Sequence, residues 1–119
     1  MNGAGGITTL VARDGGVHSV GVFGELDTFT GDELVAVVRE CLEQQPLRLV
    51  VDLSAVSFCD GAGARALMTM RELAVHAGTL FALTGLRAPT LIRVLEITGC
   101  DVLFGLRQRP AAHPDSSAC

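Results

Sequence analysis

In the segment of residues 51–68, an apolar stretch is followed by one acidic residue and then by a cluster of small residues. Asp60 is followed by Gly61, Ala62 and Gly63, and a helical pattern starts at that point. The Asp60 carboxylate can cap a helix by accepting from the amide of Ala62 or Gly63. The small residues leave first-turn amides accessible, and a helix N-terminus of this kind favours an anion or the close approach of another surface. The pattern therefore predicts either a capped turn alone or a contact site.

Three kinds of chemistry can be tested against this cluster. A Walker-type phosphate loop needs a lysine, but all nine basic residues of the chain are arginines. A phosphate-accepting Asp60, similar to that of the receiver domains of response regulators, would also be accompanied by a lysine. A nucleophile at Ser57 or Cys59 needs a base within hydrogen-bond reach, and His18 is the only histidine expected on a neighbouring strand. The missing partners disfavour all three interpretations.

Composition limits the classes of partner. The chain has 119 residues, 49% of them hydrophobic, which suits one globular domain. Its net charge is -4 and it has no basic cluster, so we expect no nucleic-acid partner. No apolar run approaches the ~20 residues of a membrane-spanning helix. The N-terminus does not resemble a secretory signal, and the expected location is the cytoplasm.

Cysteines and histidines do not suggest a metal site. The chain contains Cys41, Cys59, Cys100, Cys119, His18, His76 and His113, at spacings that match no metal-ligand motif. We therefore expect neither a metal nor another cofactor. Cys59 precedes the acidic turn and Cys100 lies in a later loop, so oxidation of this pair could act on the turn. A cytoplasmic thiol is normally kept reduced, which favours buried, unreactive thiols instead.

The remaining pattern predicts alternating strands and helices. We expect strands over residues 7–13, 16–26, 47–54, 79–86 and 101–104, and helices after residues 30, 60 and 88. The order β-β-α-β-α-β-α-β predicts an α/β fold with a mixed sheet and helices packed on it. Residues 1–106 would form the domain and residues 107–119 a flexible tail.

The start of the first helix carries a capping pattern. Thr30 and Glu33 have the spacing of a capping box, with Thr30 as the N-cap, and Phe29 and Leu34 occupy the positions of a hydrophobic staple. Beyond them, Cys41 falls on the apolar face of the helix and is expected in the core. Gly78 and Gly99 are expected to end the second and third helices.

Two motifs make the chain resemble the STAS domain family, to which sulfate-transporter tails and bacterial anti-sigma factor antagonists belong. GELDTFT (residues 24–30) is similar to the family's segment leading from a strand into a capped helix. VVDLSAVSFCDGAGARAL (residues 50–67) is similar to its signature of strand, D-x-[ST]-G turn and helix. The resemblance covers residues 7–104 and implies the STAS fold.

The resemblance also implies a function without catalysis. In the antagonist branch, the domain binds an anti-sigma factor that has a histidine-kinase-like ATPase domain, and so releases the sigma factor. That kinase phosphorylates the Ser or Thr in the third position of the motif, which ends binding. Here the third position is Ala62, so the resemblance implies a regulator that is not switched there.

Two other functions stay open: a STAS domain that senses a small molecule or nucleotide, and a STAS subunit of another assembly.

The expected contact surface follows from the predicted sheet. Equivalent ends of neighbouring strands in an α/β sheet lie on one edge, where ligands usually bind. We therefore expect one exposed partner-binding surface, formed by Asp27, Asp60, Gly61, Ala62, Gly63 and Arg65.

Overall fold

The computed structural model describes residues 6–99, which form four strands and three helices. The strands are β1 (Ile7–Asp14), β2 (Val17–Leu26), β3 (Arg48–Cys59) and β4 (Leu80–Thr84), and the helices are α1 (Thr28–Glu43), α2 (Gly61–Ala77) and α3 (Pro89–Thr98). This order confirms the expected α/β class and element order for this part of the chain. The strand predicted at residues 101–104 and the tail predicted at residues 107–119 lie outside the described residues.

The four strands form one mixed sheet in the order β1-β2-β3-β4. β1 and β2 are antiparallel and joined by a tight turn at Gly15 and Gly16, whereas β2–β3 and β3–β4 pair in parallel. Each parallel pair is connected through a helix. Because such crossovers are right-handed and both step in the same direction along the sheet, α1 and α2 cover the same face.

The core lies between that face and the helices. Leu49, Val51 and Leu53 on β3 are fully buried, while the residues between them are partly exposed. Facing them are fully buried side chains from the helices, namely Leu34, Val38, Leu67, Met70, Leu91 and Leu95. Cys41 belongs to the same core, as expected, and burial raises the pKa of its thiol.

β3 continues five residues beyond its predicted end, as far as Cys59. Its pairing with β2 shifts register between Gly21 and Phe23 and again between Gly24 and Glu25. Such irregularities interrupt the two-residue alternation of buried side chains, which explains why the sequence pattern ended the strand too early. The extension carries β3 directly to Asp60.

The expected ends of α2 and α3 are confirmed. Gly78 and Gly99 adopt left-handed backbone conformations, with φ of 75° and 78°, and Pro89 is the first residue of α3. None of the helices within residues 6–99 combines the length and apolarity needed to cross a membrane.

Candidate functional site

The ends of β2 and β3 bring Asp27 and Asp60 to the same edge of the sheet. The last residues of these strands, Leu26 and Cys59, are direct partners in the parallel ladder. The amide of Asp60 donates to the carbonyl oxygen of Leu26 at 3.2 Å. Each aspartate is the N-cap of the helix that follows it, so α1 and α2 begin side by side.

The capping box of α1 is centred three residues earlier than predicted. Asp27, not Thr30, is the N-cap: its Oδ1 accepts from the amides of Phe29 and Thr30, both at 3.0 Å. In return, the Thr30 Oγ1 accepts from the amide of Asp27 at 2.8 Å. Two pairs have the three-residue spacing of a capping box, Asp27 with Thr30 and Thr30 with Glu33. The prediction of Thr30 as N-cap was wrong because the helix starts at the first pair, directly after the end of β2.

The same shift removes the predicted hydrophobic staple. Phe29 is 80% exposed, whereas Leu34 is fully buried, so the two side chains do not form the expected pair. Phe29 instead shares the helix face of Glu33 and Ala36, which are both exposed. Helical spacing counted from Asp27 would have revealed this large apolar side chain on the surface.

Thr30 ties the start of α1 to the end of β2, although its side chain is buried. Its Oγ1 lies 2.7 Å from the carbonyl oxygen of Glu25, to which it donates, and it also meets Asp27. Thr30→Val keeps the shape but leaves these groups without their partner. We expect a loss of about 1–3 kcal/mol in the free energy of unfolding. The check is urea denaturation beside Thr28→Val, an exposed control that should change stability by less than about 0.5 kcal/mol.

Asp27 is stabilised in its ionised form. The hydrogen bond from the Thr30 amide, helped by the Thr30 side chain and the Phe29 amide, holds the pKa of Asp27 below its usual 3.8 despite some desolvation. Because the folded pKa is lowered, the resulting stabilisation is present above the unfolded pKa and is lost as pH falls through the folded pKa.

The consequence can be measured with Asp27→Asn, which keeps a capping oxygen but cannot titrate there. We expect the Tm advantage of the wild type over this variant to shrink as pH falls from about 6 to about 2. Asp32→Asn, a substitution at an exposed acid without the capping role, is the control. An advantage for Asp27 that is constant over this range would contradict the assignment.

Gly63 is a buried structural residue, so the expectation that it is exposed was wrong. Its amide donates to Asp60 Oδ1 at 2.8 Å. A Cβ at this position would lie 2.5 Å from the carbonyl oxygen of Leu26 and 2.9 Å from Cys59 Sγ. Gly63 therefore lets the first turn of α2 pack directly on the ends of both strands.

The other expected surface residues are accessible to different degrees. Gly61 and Arg65 are exposed, and Asp27, Asp60 and Ala62 are half-buried. A Cβ on Gly61 would meet nothing within 4 Å. The docking edge is the name we give to the surface formed by Asp27, Phe29, Asp60, Gly61 and Ala62. It combines two carboxylates, an exposed aromatic ring and a stretch of backbone with almost no side-chain cover.

The structure does not assemble the catalytic arrangement considered for Ser57 or Cys59. His18 lies eight positions before Leu26 on β2, which corresponds to about 26 Å along the strand. The Ser57 hydroxyl donates to the carbonyl oxygen of Gly24 at 3.4 Å, and the buried Cys59 Sγ donates to that of Asp60 at 3.4 Å. His18 therefore cannot act as a base for either group.

Two further features bear on the other sequence predictions. Within residues 6–99, no group of three or more His, Cys, Asp or Glu side chains is placed to hold a metal ion. Cys100, the second member of the suggested redox pair, lies outside the described residues, so the pairing with Cys59 stays a prediction.

A groove between α1 and α2 starts at the docking edge. It has a volume of about 440 Å³, and Gly31, Val35, Ala62 and Ala66 are among its lining residues. A Cβ on Gly31 would lie 2.9 Å from the Cβ of Ala66, so the two helices are in close contact there. We call this feature the α1–α2 groove; the sequence pattern did not reveal it because its lining comes from two separate helices.

Comparison with known proteins agrees with this architecture. The family model described as "Mlab, STAS domain" matches residues 9–107. The anti-sigma-F factor antagonist RsfB of Mycobacterium tuberculosis is 30% identical over 106 residues, which are 89% of this chain and 85% of that protein. The chain belongs to the STAS domain family.

Solved structures show the same relationship. An anti-sigma factor antagonist from Mycobacterium paratuberculosis superimposes with a TM-score of 0.76 at 31% identity, covering 98% of this chain and 97% of that one. A sulfate transporter family protein from Wolinella succinogenes has a TM-score of 0.66 at 24% identity, over 76% of this chain and 72% of that one. The second similarity concerns the fold alone.

Proposed function

We propose that this protein is an anti-sigma factor antagonist: it binds an anti-sigma factor and thereby releases the sigma factor that the latter holds. The observation that carries this proposal is the similarity, over nearly the whole chain, to two proteins with that name. Both are named as regulators rather than enzymes. Protein binding also accounts for the docking edge without requiring catalysis or a cofactor.

The docking edge is the proposed contact surface. Phe29, 80% exposed, offers an aromatic anchor of the kind that often dominates interface energies. At the start of α2, Gly61 has no side chain and Ala62 has only a methyl group, so neither holds a partner away from the backbone. Arg65 lies one helical turn from Ala62 and can pair with a partner's acid at the rim. Gly63 supports this surface from below and does not contribute to it directly.

The proposed partner is an anti-sigma factor with a histidine-kinase-like ATPase domain. Such a partner could phosphorylate a hydroxyl in the third position of the D-x-[ST]-G motif, but Ala62 offers none. In this proposal the protein is always competent to bind, because its contact surface cannot acquire the charge of about -1.5 to -2 that a phosphate carries.

The function is tested by reconstitution. The full-length chain is titrated into complexes of sigma factors with the anti-sigma factors encoded in the same genome, and free sigma factor is measured by promoter-directed transcription. We expect one complex to dissociate and transcription to recover. Failure to bind any anti-sigma factor would contradict the proposal.

A further inference from the structure

The α1–α2 groove has the size and shape of a seat for a helix. It follows α1 from Thr28 to Arg39, which is about 16 Å, or three turns of an α-helix. Gly31 and Ala66 form its floor, where α1 and α2 are in close contact, and an occupant would lie above them. Val35 adds apolar surface, and one end of the groove opens at the docking edge through Ala62.

The charges along the groove differ from those of the rest of the chain. Its charged lining residues are Asp32, Arg39 and Arg65. Two arginines and one aspartate give the lining a formal charge of +1, in a chain with a net charge of -4. Both arginines are exposed, and a guanidinium can pair with a carboxylate through two parallel hydrogen bonds.

We propose that the α1–α2 groove binds an amphipathic helix of the anti-sigma factor, and that acidic side chains of that helix pair with Arg39 and with Arg65. This inference rests on the proposed function and adds a second contact to the docking edge. Recognition then combines two observed features: the groove is about three helical turns long, and its positive charge favours an acidic helix.

The test compares two double variants that change the net charge equally. Arg39→Glu with Arg65→Glu, the groove variant, reverses two charges in the groove. Arg48→Glu with Arg87→Glu, the control, reverses two charges at exposed sites outside the groove lining. Affinity of each full-length chain for the purified anti-sigma factor is measured by calorimetry. We expect the groove variant to bind about tenfold or more weakly, and the control within about twofold of the wild type. Thermal unfolding verifies that both variants are folded, and Arg39→Gln with Arg65→Gln removes the two charges without reversing them. Arg39→Glu alone leaves Arg65 at the rim of the docking edge unchanged, so it must also weaken binding if a helix occupies the groove.

A photocrosslinker at position 69, introduced as Thr69→p-benzoylphenylalanine, identifies the occupant. Thr69 lines the groove, so we expect the crosslink to fall on a helix of the anti-sigma factor that carries Asp or Glu. A folded groove variant with wild-type affinity, or a crosslink to a basic or non-helical segment, would overturn the groove proposal. If the groove variant binds normally while Ala62→Glu does not, the proposed function survives and this inference fails. If the wild type binds no anti-sigma factor, both fail.

Discussion

Replacing Gly63 with alanine is expected to lower the free energy of unfolding by about 1–3 kcal/mol. The added Cβ would lie 2.5 Å from the carbonyl oxygen of Leu26 and 2.9 Å from the sulfur of Cys59. Since the nearer atom belongs to the backbone of a buried strand, neither a rotamer change nor solvent can relieve the contact. The first turn of α2 must move away from the sheet, which also disturbs the docking edge.

Gly61→Ala is the matched control, two residues earlier in the same turn. A Cβ there meets nothing within 4 Å, and alanine restricts the unfolded chain more than glycine does. We therefore expect no loss of stability and a gain of up to about 1 kcal/mol. Urea denaturation of the wild type and both variants measures the difference. Equal stability of Gly63→Ala and Gly61→Ala would contradict the close packing of α2 on β2.

Ala62→Glu is expected to weaken binding to the anti-sigma factor by about tenfold or more. The substitution places a charge and a long side chain in the docking edge, where Asp27 and Asp60 already lie. Folding should be preserved, because a negative charge in the first turn of a helix is favourable by about 0.3–1 kcal/mol. A loss of affinity would then report on the interface and not on unfolding.

Ala62→Ser distinguishes the effect of a charge from that of a hydroxyl. Serine is small and neutral, so binding should stay close to that of the wild type. If the partner has the proposed kinase activity, the new hydroxyl occupies the third position of the motif and should accept phosphate. Phosphorylation is followed by intact-mass measurement in the presence of ATP.

The arrangement of elements was predictable because it depends on repeated, local patterns. Apolar periodicity predicted a helix after Asp60, and glycine predicted the ends of α2 and α3. The meeting of Asp27 and Asp60 followed from parallel topology alone, since both residues come directly after neighbouring strands.

Features that depend on details of packing were not predictable in the same way. Thr30 and Asp27 both satisfy the capping pattern, and only the position of the strand end selects Asp27. The sequence around Gly63 predicts an exposed turn residue, because it does not show that the carbonyl oxygen of Leu26 packs against this position. The α1–α2 groove requires knowing which helix faces meet, and no single stretch of sequence carries that information.

The central claim is that the docking edge binds an anti-sigma factor, and one titration tests it most directly. The purified anti-sigma factor is titrated with the wild type, with Ala62→Glu and with Ala12→Glu, which adds the same charge at an exposed position on β1. The account predicts tight binding by the wild type and Ala12→Glu, and binding about tenfold or more weaker by Ala62→Glu. Equal affinity of all three folded proteins would contradict it.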